Sequence, residues 1–540
     1  MSEPREYDVI VVGAGFAGMY MLHRLRALGL TARILEAGKD VGGTWYWNRY
    51  PGARCDVPSM EYSYSFSPEL EQEWTWTEVM AAQPEILAYA NHVADRFGLR
   101  QDIQFNTRVS SAHYGDDKKW TISTDTGDSF KARFSIMATG CLSVPNTPDI
   151  EGAENFAGPV YHTGQWPHEG VDFAGISLGI IGTGSSGVQA IPVIAEQAKH
   201  LTVFQRTPNY TMPAHNKPMT AKFIEKVKAD YASIRQQQRE SEFGIIGYGF
   251  GFGGNTRTPP TALISDTSEE ERHAAVLEQG FGAIHQYIDV GLSLEANELA
   301  CEMYRKHLGQ IIDDPSTAEG LMPRGYPIGC KRPVIDTQYY EAFNRDNVTL
   351  VDLRRGGIKR ITTTGIQTEQ EDFEFDALVY ATGFDAMTGA LLNMDIRGRD
   401  GVTLSDYWEA GPRTYLGLQV NGFPNLFTIT GPGSPSVRSN MMTSIEQHVD
   451  WIADCITYMD YHQLRAIEAT EQAEADWIKH VYETAKGSML TAPSCNSWYL
   501  GANIPGKPRI FMPYIGGLGS YRKQCDDIAR RGYAGFSLTA

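Results

Sequence analysis

The residues with the clearest chemical meaning are glycines near the start of the chain. Gly13, Gly15 and Gly18 follow the apolar run VIVV and precede a helical pattern. This spacing gives a tight turn, lets the backbone approach a pyrophosphate and lets the helix pack closely on the strand. The next apolar run ends at Glu36, whose carboxylate can accept hydrogen bonds from a ribose 2′-hydroxyl. The segment therefore predicts a unit that binds a dinucleotide with a free 2′-hydroxyl.

The same spacing returns in the middle of the chain, again between an apolar run and a helical pattern. This second turn consists of Gly182, Gly184, Ser185, Ser186 and Gly187. The acid of the first unit is replaced here by Arg206 and Thr207. A carboxylate would repel a 2′-phosphate, whereas Arg and Thr can hold one. The second unit therefore predicts a site for NADPH. Two apolar runs that end in Ala-Thr-Gly, at 138–140 and 381–383, predict strands that return across the two dinucleotide sites.

Two further segments are rich in aromatic residues, glycine and proline. The first, GGTWYWNRYPGARCD, runs from Gly42 to Asp56. The second, FAGPVYHTGQWP, contains Phe156, Gly158, His162, Trp166 and Pro167. These segments resemble the two fingerprints of the type I Baeyer–Villiger monooxygenases, class B flavoprotein monooxygenases. The resemblance covers essentially the whole chain, and the branch of phenylacetone monooxygenase is the most similar.

The resemblance implies a reaction and the residues that carry it out. FAD would occupy the first unit, beside Gly43, Thr44 and Trp45, and NADPH the second. A C4a-peroxyflavin formed with O₂ would attack a ketone and give an ester or lactone, with sulfoxidation as a side activity. Arg332 would stabilise the peroxide and the tetrahedral adduct, and Asp56 would orient that arginine.

The resemblance also implies supporting residues around this centre. Lys331 would help to hold the 2′-phosphate, and Trp498 would contact the bound nicotinamide cofactor. His162 would have a structural or conformational role rather than act as an acid or base. The substrate pocket would be lined by Val57, Cys141, Leu142, Ser436, Val437, Arg438 and Met441. Arg438 is unusual beside an apolar ketone, and it indicates either a side chain that points to solvent or a substrate with a polar or anionic end.

The fold predicted from these features is α/β, with two Rossmann-like dinucleotide-binding domains. The resemblance implies an FAD domain made of residues 1–145 and 386–540, and an NADPH domain of residues 146–385. Within the latter, residues 212–322 would form a helical insert that includes a Gly-rich loop at 244–254. The second part of the FAD domain would carry the substrate wall and a mobile loop near 490–507.

Composition excludes several other classes of function. The net charge of −18 argues against nucleic acid as the main partner, because a phosphate-binding surface needs a basic excess. The 7 cysteines include no C-x-x-C pair, so neither a metal site nor a dithiol redox pair is expected. An odd count and no signal peptide predict a cytoplasmic protein. No apolar run is long enough for a membrane span, and we expect a monomer.

Two other readings of the same motifs stay open. The glycine turns would equally serve a flavin monooxygenase that oxygenates the nitrogen of amines or the sulfur of sulfides. Trp166 and Pro167, together with Arg332 beside Lys331, favour ketone oxidation. A sensor that binds FAD and NADPH without catalysis would show no NADPH oxidation that depends on substrate.

Overall fold

The computed structural model describes residues 4–247, 262–279, 283, 284 and 286–540. The strands are β1 (Arg5–Val12), β2 (Ala32–Leu35), β3 (Ile103–Gln104), β4 (Val109–Tyr114), β5 (Trp120–Thr124), β6 (Ser129–Met137), β7 (Val160–His162), β8 (Ser177–Ile181), β9 (His200–Gln205), β10 (Thr211–Pro213), β11 (Val334–Asp336), β12 (Val348–Asp352), β13 (Ile358–Ile361), β14 (Gly365–Thr368), β15 (Asp372–Glu374), β16 (Ala377–Tyr380), β17 (Asp395–Arg397), β18 (Leu426–Thr428), β19 (Ala466–Ala469) and β20 (Phe536–Thr539). The helices are α1 (Phe16–Ala27), α2 (Thr44–Trp47), α3 (Pro68–Glu73), α4 (Gln83–Arg96), α5 (Ser185–Gln197), α6 (Ala221–Glu240), α7 (Glu269–Gln279), α8 (Leu294–Ile311), α9 (Pro315–Leu321), α10 (Gly389–Leu392), α11 (Leu404–Tyr407), α12 (Met441–Tyr461), α13 (Glu471–Ala485) and α14 (Leu518–Arg530).

The larger sheet combines the two ends of the chain. Its strand order is β17-β4-β5-β6-β1-β2-β3, and β18 also pairs with β6. Strand β1 runs parallel to both β2 and β6, and its residues Val9, Ile10 and Val11 are fully buried. Helix α1 follows β1 directly and packs against α12. Buried apolar side chains on both faces of a parallel strand are typical of a dinucleotide-binding fold.

The second sheet has five parallel strands in the order β12-β9-β8-β16-β7. Helix α5 follows β8 as α1 follows β1, so the two units repeat one another. The α/β prediction with two Rossmann-like units is confirmed. Helices α6 to α9 all fall within the predicted insert at 212–322. Of the Gly-rich stretch at 244–254, residues 248–254 lie outside the described residues. The exact domain boundaries stay predictions.

The segment between Gly42 and Asp56 docks the first unit onto helix α5 of the second. The hydroxyl of Tyr50 donates to the Gln189 side-chain oxygen at 2.8 Å, and the Gln189 amide donates to the carbonyl oxygen of Arg54 at 3.1 Å. A Cβ on Gly52 would lie 2.2 Å from the Gln189 carbonyl oxygen, so only glycine fits there. The aromatic segment therefore holds the two units together in addition to lying beside the first glycine turn.

Among the described helices, none has both the length and the apolar character that crossing a membrane requires. The same residues contain no group of three or more His, Cys, Asp or Glu side chains that could hold a metal ion.

Candidate active site

The first glycine turn is shaped by close backbone contacts. A Cβ on Gly13 would lie 2.6 Å from the carbonyl oxygen of Ala138, and one on Gly18 would lie 1.9 Å from that of Gly13. A Cβ on Gly43 would lie 2.8 Å from the Cα of Gly15, so two backbones meet without intervening side chains. The return of the chain across this turn at Ala138 confirms the prediction from the Ala-Thr-Gly run. The bare backbone leaves room for a pyrophosphate.

Glu36 lies beside this turn, at the end of β2. Its side-chain oxygens accept hydrogen bonds from the backbone N–H of Ala14 and of Gly38, each at 2.6 Å. The residue is 5% exposed, and burial raises the pKa of its carboxyl group despite these two hydrogen bonds. A carboxylate oxygen can accept more than one hydrogen bond, so Glu36 can also receive a ribose hydroxyl.

The second turn repeats this geometry beside β16. A Cβ on Gly182 would lie 2.4 Å from the carbonyl oxygen of Ala381, and one on Gly187 would lie 2.3 Å from that of Gly182. Helix α5 begins at Ser185, and no side chain caps the preceding Gly184. The free N–H groups at this helix start, including that of Ser186, are available to a phosphate.

Two cations gather next to the second turn. Lys331 is half-buried, with its ammonium 4.7 Å from the Tyr326 ring centroid. Burial and, to a lesser extent, the nearby charge of Arg206 together lower the pKa of Lys331 to about 8. Within the described residues neither side chain forms an ion pair with a carboxylate. Thr207 is half-buried beside the exposed Arg206. The two cations make this an electropositive site.

Arg332 stands beside this pair, and its guanidinium is held from two sides. Its Nε donates to Asp56 at 2.6 Å, and Nη1 donates to the carbonyl oxygen of Val437 at 3.0 Å. The side chains of Arg332 and Asp56 are 28% and 32% exposed. Burial disfavours the charge on Arg332, but Asp56 outweighs it and raises the arginine pKa. Arg332 is therefore permanently charged and aimed at the segment that contains Val437.

The residues predicted for the substrate wall lie largely in one apolar cluster. Cys141 and Val437 are 8% exposed, and Leu142, Met441 and Trp498 pack against the same cluster. Ser436 is fully buried and contacts the Cys141 sulfur at 3.1 Å. The guanidinium of Arg438 lies over the ring of Tyr499, which belongs to the same cluster. Val57 is also buried, but it belongs to the neighbouring core around α1 and α12. The structure thus brings most of the predicted residues together, whereas Val57 packs in the neighbouring core.

The second fingerprint includes the edge strand β7 of the second sheet, which ends at His162. The Nδ1 of His162 accepts from the Gly164 N–H at 2.9 Å, and Nε2 lies 3.3 Å from the Thr382 hydroxyl. Burial lowers the pKa of His162. The other fixed positions of the fingerprint are also packed. Trp166 is 4% exposed and Pro167 is half-buried. The Phe156 ring centroid lies 5.8 Å from that of Phe375, and a Cβ on Gly158 would lie 2.1 Å from the carbonyl oxygen of Asp376. These contacts suit a structural role for His162, which stays a prediction.

One feature of the site was not predicted from the sequence. Cys330 and Cys495 form a disulfide, with their Cα atoms 5.7 Å apart. Cys330 precedes Lys331, and Cys495 precedes the turn that contains Trp498. The disulfide therefore ties the segment of the arginine to the loop near 490–507. Two cysteines separated by 165 residues form no local motif such as C-x-x-C, so the sequence does not indicate that they pair.

Tyr499 is a site residue that the sequence reading missed. It is fully buried beside Trp498, at a ring-centroid distance of 4.3 Å, and its hydroxyl has no hydrogen-bond partner in the described part of the chain. It lies close enough to Arg332 to raise the pKa of the guanidinium. The only sequence signal was its position next to a tryptophan that the resemblance already implicated.

Comparison with known proteins covers nearly the whole chain. Residues 10–242 match a family model described as pyridine nucleotide-disulphide oxidoreductase. The chain is 41% identical to a Baeyer–Villiger monooxygenase of Pseudooceanicola batsensis, over 98% of this chain and 95% of that protein. It is 39% identical to a phenazine N-monooxygenase of Lysobacter antibioticus, over 99% of this chain and 98% of that protein. A solved structure of oxidized steroid monooxygenase bound to NADP is 50% identical, with a TM-score of 0.90 over 99% of each chain.

Proposed function

Because the chain belongs to the type I Baeyer–Villiger monooxygenases, we propose that it oxidises ketones to esters or lactones with NADPH and O₂, using bound FAD. The first glycine turn and Glu36 fit the adenosine end of FAD. The turn before α5 fits the pyrophosphate of NADPH, and Arg206, Thr207 and Lys331 fit its 2′-phosphate. Once NADPH has reduced it, FAD supplies the oxygen-activating chemistry.

The observation that carries the proposal is the arrangement of Arg332. A guanidinium has five N–H donors, of which one is taken by Asp56 and one by Val437. The remaining three have no partner within the described residues. They can donate to an oxygen that becomes negative as the ketone carbonyl is attacked, and fixed donors of this kind stabilise such charge strongly. Oxygen insertion next to a carbonyl needs this stabilisation.

The other residues of the site position the reactants. The cluster of Cys141, Leu142, Val437 and Met441 offers the ketone an apolar wall and excludes water. Trp498 packs against this wall, and the proposal assigns it a contact with the nicotinamide cofactor. His162 keeps its structural assignment at the edge of the second sheet.

Nitrogen oxygenation is a second candidate, because one relative of equal coverage is named as an N-monooxygenase. That reaction attacks a nucleophilic nitrogen and builds no negative charge on a substrate oxygen, so it does not need Arg332 in this way. The arginine that is held against the substrate wall favours ketone oxidation.

The test is a product screen with the purified holoenzyme, NADPH and O₂. Cyclic, linear, aryl and steroid ketones are compared with an aryl sulfide and a tertiary amine, and products are identified by mass spectrometry. We expect esters or lactones, with sulfoxide as a side product. Oxidation of amines with no ester from any ketone would refute the proposal.

A variant separates the role of Arg332 from the binding of cofactors. Arg332→Ala is expected to keep flavin reduction by NADPH while ester formation falls by about 10²–10³-fold. Arg360→Ala is the matched control, because Arg360 is exposed on β13 and lies in a separate sheet. Full ester formation by Arg332→Ala would contradict its role. The proposal also takes the chain to work as a monomer in the cytoplasm, where NADPH is produced.

A further inference from the structure

Arg438 places a cation on the substrate wall without an acidic partner. It ends the 3₁₀ turn Ser436–Arg438 and directly follows Val437, which accepts the hydrogen bond from Arg332. Among the described residues, no carboxylate oxygen lies within ion-pair distance of its guanidinium. The stretches 248–261, 280–282 and residue 285 contain no Asp or Glu. Apart from Glu3, the rest of the chain therefore cannot supply the missing acid.

Aromatic rings, rather than hydrogen bonds, hold the Arg438 side chain in place. Its central guanidinium carbon lies 5.7 Å from the ring centroid of Tyr499 and 5.8 Å from that of Phe243. Its Nε is buried and has no hydrogen-bond partner among the residues that the structure describes, and neither has the buried hydroxyl of Tyr499. Buried donors without partners are rare because they are costly. The Nε of Arg438 and the hydroxyl of Tyr499 are two such donors on neighbouring side chains. We infer that a bound ligand supplies the acceptor for them.

A small cavity lies beside Arg438. It has a volume of about 70 Å³, and its lining includes Arg438, Phe243, Pro435, Tyr514 and Leu518. One water molecule needs about 15 Å³ of such space, so a carboxylate fits. Glu242 also lines the cavity, but it is exposed and forms no ion pair with Arg438.

We propose that Arg438 and Tyr499 form an anion subsite that selects ketones bearing a carboxylate at the end away from the reacting carbonyl. A guanidinium can bind both oxygens of a carboxylate, and the Tyr499 hydroxyl can donate a further hydrogen bond. Val437 connects the two sites, because it directly precedes Arg438 and accepts the hydrogen bond from Arg332. This assignment rests on the proposed ketone oxidation, which it deepens by naming the substrate class.

The test compares two substrates that differ only in charge, 4-(3-oxobutyl)benzoate and its methyl ester, with the holoenzyme. The wild type is expected to show a kcat/KM for the acid at least about tenfold above that for the ester, since hydrogen bonds to charged groups are the stronger ones. Arg438→Gln should lower the ratio of kcat/KM for the acid to kcat/KM for the ester by about 10- to 100-fold, chiefly through KM for the acid. Arg438→Lys should keep part of the preference, and Tyr499→Phe should lose a smaller part.

Arg360→Gln is the control that removes the same charge at an exposed, distant position. A second readout needs no variant: raising the ionic strength should raise KM for the acid but not for the ester. Equal kcat/KM values for acid and ester in the wild type, or an unchanged ratio in Arg438→Gln, would overturn the subsite. Oxidation of simple ketones alone would also overturn it, yet leave the proposed function intact. Only failure with every ketone would refute both.

Discussion

Removing the carboxylate that orients Arg332 is the most direct perturbation of the site. In Asp56→Asn the shape is kept, but the ion-paired hydrogen bond at 2.6 Å becomes one between the charged guanidinium and a neutral amide. Hydrogen bonds to charged groups contribute about 1.5–3 kcal/mol. Because both side chains are about one-third exposed, we take the lower part of this range, about 1.5–2 kcal/mol. At about 1.36 kcal/mol per factor of ten, ester formation should fall by about 10- to 30-fold.

The assay separates the two halves of the reaction. Anaerobic flavin reduction by NADPH should be unchanged in Asp56→Asn, whereas the yield of ester per NADPH consumed should fall. Glu78→Gln is a matched control, because Glu78 pairs with Arg54 at similar exposure, 36% and 23%, in the same region but away from the wall. That variant should lose some stability without losing ester yield.

A double variant tests the reasoning itself. If Asp56 acts only through Arg332, then Asp56→Asn should not lower the rate of ester formation any further in the Arg332→Ala background. An additional loss of about tenfold in that background would show that Asp56 contributes independently. An ester rate within twofold of the wild type in the single variant would refute the orienting role altogether.

Three other outcomes follow from the charges and the disulfide. Arg206→Ala should raise KM for NADPH at least about tenfold and leave KM for NADH nearly unchanged, as steady-state kinetics would show. Lys331 has a pKa of about 8, so its side chain loses its charge as the pH rises above 8. In that range KM for NADPH should rise while KM for NADH stays constant. Arg206→Ala should move the rise in KM for NADPH to higher pH, because Arg206 lowers the pKa of Lys331. Cys495→Ser should lower Tm, since a link across 165 residues stabilises by up to about 5 kcal/mol in the chain-entropy description. Peptide mapping without reductant should show the Cys330–Cys495 pair in the wild type.

The dinucleotide turns could be predicted from sequence because each is decided within a short stretch of chain. Glycine is required where another backbone segment lies within about 3 Å of the position that a Cβ atom would occupy, as at Gly13 and Gly182. After each turn, the next strand of the unit is followed directly by the charged residue, Glu36 in the first unit and Arg206 in the second. Periodicity and local spacing therefore carry the information for this part of the fold.

The active site could not be derived in the same way, because its members meet only after the units have docked. Asp56 and Arg332 are separated by 276 residues, and Arg332 and Val437 by 105. No local pattern distinguishes Arg332 from a surface arginine, and only the resemblance pointed to it. The Tyr499 hydroxyl and the Cys330–Cys495 disulfide depend on the same long-range packing, and the resemblance did not reveal them.

This dependence on docking has a consequence for how the arginine works. Arg332 is aimed by Asp56 from the first unit and by Val437 from the last part of the chain, while its own segment belongs to neither. Tyr50 and Gln189 fasten the units on one side, and the disulfide fastens the arginine segment to the loop on the other. A shift of either unit would therefore turn the guanidinium away from the substrate wall while leaving both dinucleotide turns intact. Variants at Tyr50 should accordingly resemble Asp56→Asn in the yield of ester per NADPH rather than in the binding of either cofactor.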